Sequence, residues 1–259
     1  MLIALTRDVS PAIGRCELTH VDRQVIDVDR ARAQHRAYEQ ALATLGCRVE
    51  RVAPAPDLPD SVFVEDTAVV LDEVAVLARP GAASRRPELD GVADCLARFR
   101  PLVRLEPPGT LDGGDVLVLG RRVFVGRSTR TSDDAIAQLD RALRPLGYEV
   151  QGVEVNGCLH LKSAASAIGP GSLLVNAAWV APATFAGLDL VEVDPAEPHA
   201  GNVLWVGGTV LMPAAHARTR RRLEARGLPV MVVDVSELAK AEGGVTCCSI
   251  VLAGPGAIR

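Results

Sequence analysis

Gly243-Gly244-Val245-Thr246-Cys247-Cys248-Ser249 sets a thiol just after a pair of glycines, residues that let backbone approach a ligand closely. A cysteine in such a turn is either core packing or a nucleophile, and a nucleophile needs a base and an activating charge. The base would come from five histidines, His20, His35, His160, His199 and His216. His35 and His216 fall in or beside helical runs and read as surface residues. His20 carries no signal, and His199 sits in a proline-rich loop. His160 stands among apolar neighbours in Cys158-Leu159-His160-Leu161, as either a hydrogen-bonded core histidine or a base. Asp60, Glu65 and Asp66 in PDSVFVED, with Asp112 and Asp115 in TLDGGD, supply carboxylates inside apolar segments. Acids so placed are costly unless a cation pairs with them, or else they face solvent at strand starts. Thiol, imidazole and acids together point to a cationic substrate that carboxylates hold and sulfur attacks.

These residues lie far apart, so the fold must gather them. Asp66, Asp112, His160, Asn202 and Cys247 recur at intervals of 46, 48, 42 and 45 residues. Each of the first four leads two apolar runs around a turn, at Asp72-Glu73, Gly120-Arg121, Gly169-Pro170-Gly171 and Gly207-Gly208. Cys247 opens a single run, whose partner would be Leu2 to Thr6. Helical stretches follow several hairpins: 82–100, 132–146 with Ser132 as N-cap and Gly147 as C-cap, and 214–226. A helical run over 29–45 belongs to the fifth unit. On an extended strand Glu65 and Asp66 would face opposite sides. Five ββαβ-like units of this length cannot each bury a core alone, but stacked around an axis they can. A closed ring brings the five leading residues to one end of the axis; the alternative is ordinary α/β hairpins with coincidental spacing.

Composition excludes other classes. With 48% hydrophobic and 23% charged residues the chain is a packed globule, not a disordered one. A net charge of −4 offers no basic field for a nucleic acid. Six cysteines without a CxxC spacing argue against a disulfide framework or zinc site. No signal peptide or membrane span is legible, so a cytoplasmic, one-domain protein spanning 1–259 is expected. The run Arg218 to Arg226 reads as the solvated face of a helix.

The segments PDSVFVED, RPGAASRR, TLDGGDVLVLG, GRSTRTSDDA, LHLKS, GNVLWV and EGGVTCCS resemble, in order and over nearly the whole chain, those of the dimethylarginine dimethylaminohydrolase family of the guanidine-modifying (pentein) superfamily. The resemblance implies a five-bladed α/β propeller of pseudo-symmetric ββαβ units, in agreement with the repeat. It implies Cys247 as nucleophile, His160 as general acid and base, and Asp112 as the carboxylate that orients it. It assigns Glu65 and Asp66 to the guanidinium, Asp60 and the backbone of Leu18 to the α-amino end, and Arg85 and Arg130 to the carboxylate. The backbone of Ala241 is a further substrate contact. Cys16 to Val28 matches poorly beyond Leu18, which leaves the substrate lid the least defined part.

The implied substrate is a methylated arginine, cleaved to citrulline and an amine without metal or organic cofactor. Neither nucleic acid nor membrane is implied as a partner, and a homodimer is left open. Arginine deiminases and amidinotransferases share the fold and the thiol chemistry. In them an acid usually follows the catalytic histidine by two residues, where this chain has Lys162. A non-catalytic binding protein on the same fold would have lost the Cys, His and acid set, which this chain retains.

Overall fold

The computed structural model describes residues 1–254, so the last five residues of the expected 1–259 domain lie outside it. From the N-terminus, β1 (Leu2–Thr6) leads through an irregular segment to α1 (Val28–Thr44) and β2 (Cys47–Arg51). Then follow β3 (Ala68–Val70), β4 (Ala75–Leu77), α2 (Leu89–Leu96) and β5 (Leu102–Arg104). Next come β6 (Val116–Leu119), β7 (Arg122–Arg127), α3 (Asp133–Leu143) and β8 (Glu149–Glu154). The one-turn α4 (Leu161–Ala164) precedes β9 (Ala165–Gly169), β10 (Ser172–Val175) and β11 (Asp189–Glu192). The chain ends with β12 (Leu204–Val206), β13 (Thr209–Pro213), α5 (Ala217–Ala225), β14 (Val230–Val233), the short α6 (Ser236–Ala239) and β15 (Ile250–Ala253).

These strands form five three-stranded sheets with one plan: an antiparallel hairpin whose second strand pairs in parallel with a third. The fifth sheet is β15-β1-β2, in which Leu2 faces Ala253 and Leu5 faces Ile250. The two ends of the chain therefore close the ring. Side-chain alternation toward two different cores explains why the centres of the middle strands are apolar. Ile3 and Leu5 of β1 pack with Leu77 and α2, whereas Ala4 packs with Tyr38 and Leu42 of α1. Val76 turns the other way from Leu77, toward Val123 and Val125 of the next blade, whose Phe124 meets Leu173 and Val175. Leu174 then joins Val210 and Met212, and Leu211 returns to the Tyr38 cluster. Each middle strand serves two inter-blade cores, and the five cores form a ring.

Ser132 caps α3 by accepting from the Ala135 N–H, and Gly147 closes the segment at φ +81°, as expected from sequence. The expected helix over 82–100 divides into a 3₁₀ turn, Ala83–Glu88, and α2, because Pro87 interrupts the ladder. In the third blade only a 3₁₀ turn, Pro182–Phe185, links β10 to β11. His35 is a correction: it is 2% exposed rather than at the surface. It shares the inner stripe of α1 with Ala31, Tyr38 and Leu42, spaced to face one side of a helix. His216 is half-buried.

The leading residues also differ from expectation in local structure. Glu65 and Asp66 lie on a 3₁₀ turn, Val64–Thr67, not on an extended strand, so simple alternation does not apply to them. Asp112 stands directly before the turn Gly113–Asp115, and His160 directly before α4. Cys247 occupies a turn three residues ahead of β15 rather than opening the strand. In four blades the leading residue lies on or directly beside a one-turn helical segment, and in the fifth Cys247 lies in a turn ahead of its strand.

Candidate active site

Glycine makes the central approach of these turns feasible. A Cβ on Gly113 would sit 2.0 Å from the Glu65 carbonyl, and one on Gly114 would sit 2.6 Å from His160 Nδ1 and 2.7 Å from Asp66 Oδ1. With hydrogen there instead, the Gly114 N–H donates to Asp66 Oδ1 at 2.9 Å. His160 Nε2 lies 3.1 Å from Asp112 Oδ2, and its Nδ1 lies 3.8 Å from Asp66 Oδ1. Asp112, fully buried, also accepts from the Gly81 N–H. Asp115 accepts from Ser128, Thr131 and the Leu161 N–H beside His160. Burial alone would lower the His160 pKa, but Asp66, Asp115 and Asp112 outweigh it and raise the imidazole to about 9. Burial likewise opposes ionisation of Asp66, yet His160 and Arg85 bring that carboxyl down to about 2.

The cysteine turn is held from three sides. Thr246 N–H donates to Asn202 Oδ1, while Asn202 Nδ2 donates to Thr246 Oγ1 and to the Lys162 carbonyl. Thr246 Oγ1 donates to Glu65 Oε2 at 2.6 Å, and the Glu65 N–H donates to the Cys247 carbonyl. Tyr38 of α1 donates to the Val245 carbonyl. A Cβ on Gly244 would lie 2.2 Å from Asn202 Oδ1, and the Gly244 N–H points at Cys247 Sγ from 3.3 Å. Burial raises the thiol, Glu65 and Asp66 add to it, and the group is pushed up to about 12. Cys248 belongs to the core between the fourth and fifth blades and contacts the Gly244 carbonyl.

Cys247, His160, Asp66, Asp60, Arg85, Arg130 and Ala241 line a single cleft, together with Glu17, Leu159 and Glu242. Asp112 stands behind His160. Glu65 stands behind the cysteine turn, where Lys162 Nζ donates to its Oε1 at 2.6 Å; burial raises its pKa against the pull of Lys162. Leu18 is half-buried and packs on the core that contains Cys247. Arg85 is 4% exposed, and its guanidinium is taken up by Asp66 at 2.6 Å, Glu88 at 2.9 Å and the Phe63 carbonyl. Arg130 is half-buried and donates to Thr19 Oγ1. Asp60, raised by burial, accepts from the Glu17 N–H.

Sequence reasoning did not select Thr246, Asn202, Asp115, Glu88 or Glu242 as site residues. Glu88 carried a signal, since it stands one helical turn from Arg85 in RRPE. Asn202 led a hairpin at the repeat interval. Asp115 stood among the candidate acids of TLDGGD without a role, and Thr246 and Glu242 have no local signature. Asp66, Asp112 and His160 present donor atoms within 4.8 Å of one another, but those atoms face Arg85, the Gly81 and Gly114 N–H groups, and one another.

Five ββαβ blades that bring a thiol, an imidazole and acids to one axial cleft define the class of guanidine-modifying propellers. The family model described as "N,N dimethylarginine dimethylhydrolase, eukaryotic" matches residues 18–182. An N(G),N(G)-dimethylarginine dimethylaminohydrolase of Streptomyces coelicolor is 42% identical over 249 residues, covering 95% of each chain. A solved Pseudomonas aeruginosa enzyme of that name, a Cys-to-Ser variant complexed with citrulline, superposes with a TM-score of 0.92 at 32% identity, covering 96% of this chain and 98% of its own. A His-to-Gly dimethylarginine dimethylaminohydrolase captured as an adduct with S-methyl-L-thiocitrulline gives 0.91 at 32% identity, covering 97% and 100%. The chain belongs to the dimethylarginine dimethylaminohydrolase family.

Proposed function

We propose that this protein hydrolyses Nω-methylated arginine to citrulline and methylamine or dimethylamine, through a covalent intermediate on Cys247. The observation that carries the reading is that Cys247 and His160, 87 residues apart in sequence, line one buried cleft with Asp66 and Asp60. The substrate's positive headgroup lies beside Asp66, and its charge favours the thiolate over the buried thiol. The thiol releases its proton to solvent as substrate binds, and the thiolate attacks the central guanidine carbon to form the C–S bond. His160, held through Nε2 by Asp112, protonates the methylated nitrogen as its bond to carbon breaks. Water then adds to the thiouronium carbon, His160 takes its proton, and C–S scission returns the thiol.

Asp60, Arg130, Leu18 and Ala241 read the amino-acid end of the substrate, and Arg85 contributes while bracing Asp66. Glu65 braces the cysteine turn, and Lys162 neutralises it, so of this adjacent pair Asp66 is the carboxylate that faces the cleft. That pairing favours this reading over a deiminase with a second acid at the Lys162 position. We read the chain as one catalytic propeller that acts on a small molecule, not on nucleic acid; a homodimer is compatible with it. Among the described residues no helix is long and apolar enough to cross a membrane. Six free cysteines persist most readily in a reducing compartment, which favours a cytoplasmic location.

The test is a panel of asymmetric dimethylarginine, monomethylarginine, arginine and agmatine, with ureido product measured colorimetrically and Cys247→Ser as the control. The methylated arginines should be the fastest. Faster release of ammonia from unmodified arginine would reassign the protein to deimination, and no ureido product from any of them would end the enzyme reading.

A further inference from the structure

The segment 17–21 runs from Asp60 to Glu242, both of which line the cleft. At one end the Glu17 N–H donates to Asp60, and Ser84 donates to the Glu17 carboxylate at 2.5 Å. In the middle Arg130 donates to Thr19 Oγ1 at 3.0 Å. Asp60 and Arg130 are residues that the proposed function gives to the substrate's amino and carboxylate groups, so a bound substrate draws on the same side chains that hold this strap. Glu242 has no such assignment. Its carboxylate accepts three consecutive backbone N–H groups, from Thr19 at 2.8 Å, from His20, and from Val21 at 2.9 Å.

The backbone at Glu242 is unusual as well. Its φ of +57° is the only positive value at a non-glycine among the described residues, in a region that L residues with long side chains avoid. Glycines follow at 243 and 244, yet a side chain is present at 242. Strain of this kind persists where the surrounding structure fixes it. Here it aims a carboxylate, five residues before Cys247, at three donors more than 220 positions away in the chain.

We propose that Glu242 is a positioning residue, a latch that holds segment 17–21 closed over the cleft and links that closure to the cysteine turn. Only the kinetic half of the test rests on the hydrolase reading. Glu242→Gly is the informative variant, because glycine adopts φ +57° freely and the carboxylate is lost without new backbone strain. Glu242→Gln keeps one oxygen acceptor and serves as the conservative rescue.

The first readout is hydrogen exchange. Amides 19–21 should exchange about ten-fold faster in Glu242→Gly, as expected for losing charge-assisted hydrogen bonds that are partly solvent-exposed, with β1 and β15 unchanged and Glu242→Gln intermediate. The second is steady-state kinetics: KM for the methylated arginine should rise about ten-fold while kcat stays within about two-fold, as expected when the binding-competent state is less populated. Unaltered exchange at 19–21 in the glycine variant would overturn the latch. So would faster exchange with unaltered KM, which would make the contact a surface clasp without a role in binding. A wild-type protein that turns nothing over would sink the hydrolase reading, and the exchange experiment would still decide whether Glu242 holds the strap.

Discussion

The two walls of the cleft carry opposite electrostatic preparations. On the imidazole wall, three carboxylates overcome burial and hold His160 as a cation to about pH 9. On the thiol wall, burial and two of the nearby acids act in the same direction, and Cys247 is pushed up to about 12. The difference comes from the sign of the charged form. The same negative surroundings that stabilise an imidazolium destabilise a thiolate. With the proposed roles, the free protein has its acid ready and its nucleophile masked, and a positive charge next to the sulfur is what would unmask it. In the proposed reaction the substrate guanidinium is that charge, which would make activation and substrate recognition one event.

The contrast can be broken most directly at its two ends. Cys247→Ser should abolish turnover while still binding substrate, because the acids and the imidazole remain; calorimetric titration with dimethylarginine would show undiminished affinity. His160→Asn should lower kcat by about 10²–10⁴-fold, the usual worth of a positioned acid–base group, and rapid quenching should reveal slowed release of the amine. Equal loss of binding in both variants would mean that the walls do not divide the work this way.

Gly114→Ala attacks the seam between the walls. Its added methyl would fall within 2.7 Å of both His160 and Asp66, and a displacement of about 1 Å at such groups costs on the order of 10²-fold in rate. The same substitution at Gly120, where nothing lies within 4 Å but φ is +58°, should cost stability and leave kcat near wild type.

The smallest effect is on stability against pH in the ligand-free protein. His160 has a folded pKa of about 9, above an unfolded value of about 6.5, so its contribution is complete below 6.5 and lost as pH rises through 9. Asp66 is depressed to about 2, so its contribution is present above roughly pH 4 and lost as pH falls through 2. The raised Cys247 thiol adds a decline above about pH 8.5, where an unfolded thiol ionises. Thermal unfolding should show Tm highest between about pH 4 and 6.5 and falling toward pH 9.5. His160→Asn should flatten the slope between 6.5 and 9, and a slope unchanged by that substitution would refute the imidazolium assignment.

Much of the scaffold was legible in sequence. The paired apolar runs, the turn glycines and the 42–48-residue spacing marked four hairpins and the pairing of β1 with β15, because strand alternation and positive-φ turns leave local traces. The short turns that carry Glu65, Asp66 and Cys247 did not, since three or four residues hold too few positions to show a helical period, and the strand argument for Glu65 and Asp66 failed there. His35 was misjudged because a histidine amid charged residues looks exposed, although its spacing from Ala31, Tyr38 and Leu42 places it on the inner stripe. The links from Thr246 to Glu65 and from Glu242 to residues 19–21 span 181 and more than 220 positions, beyond any local pattern.

By itself the sequence determined which groups are available and which end of each blade bears them, since backbone preference and side-chain alternation act over a few residues. Only the tertiary structure decided what those groups are as chemistry. Whether a buried acid faces Lys162, Arg85 or His160, and whether a thiol is masked or an imidazole charged, depends on through-space interactions and desolvation summed over residues that meet only when the ring closes.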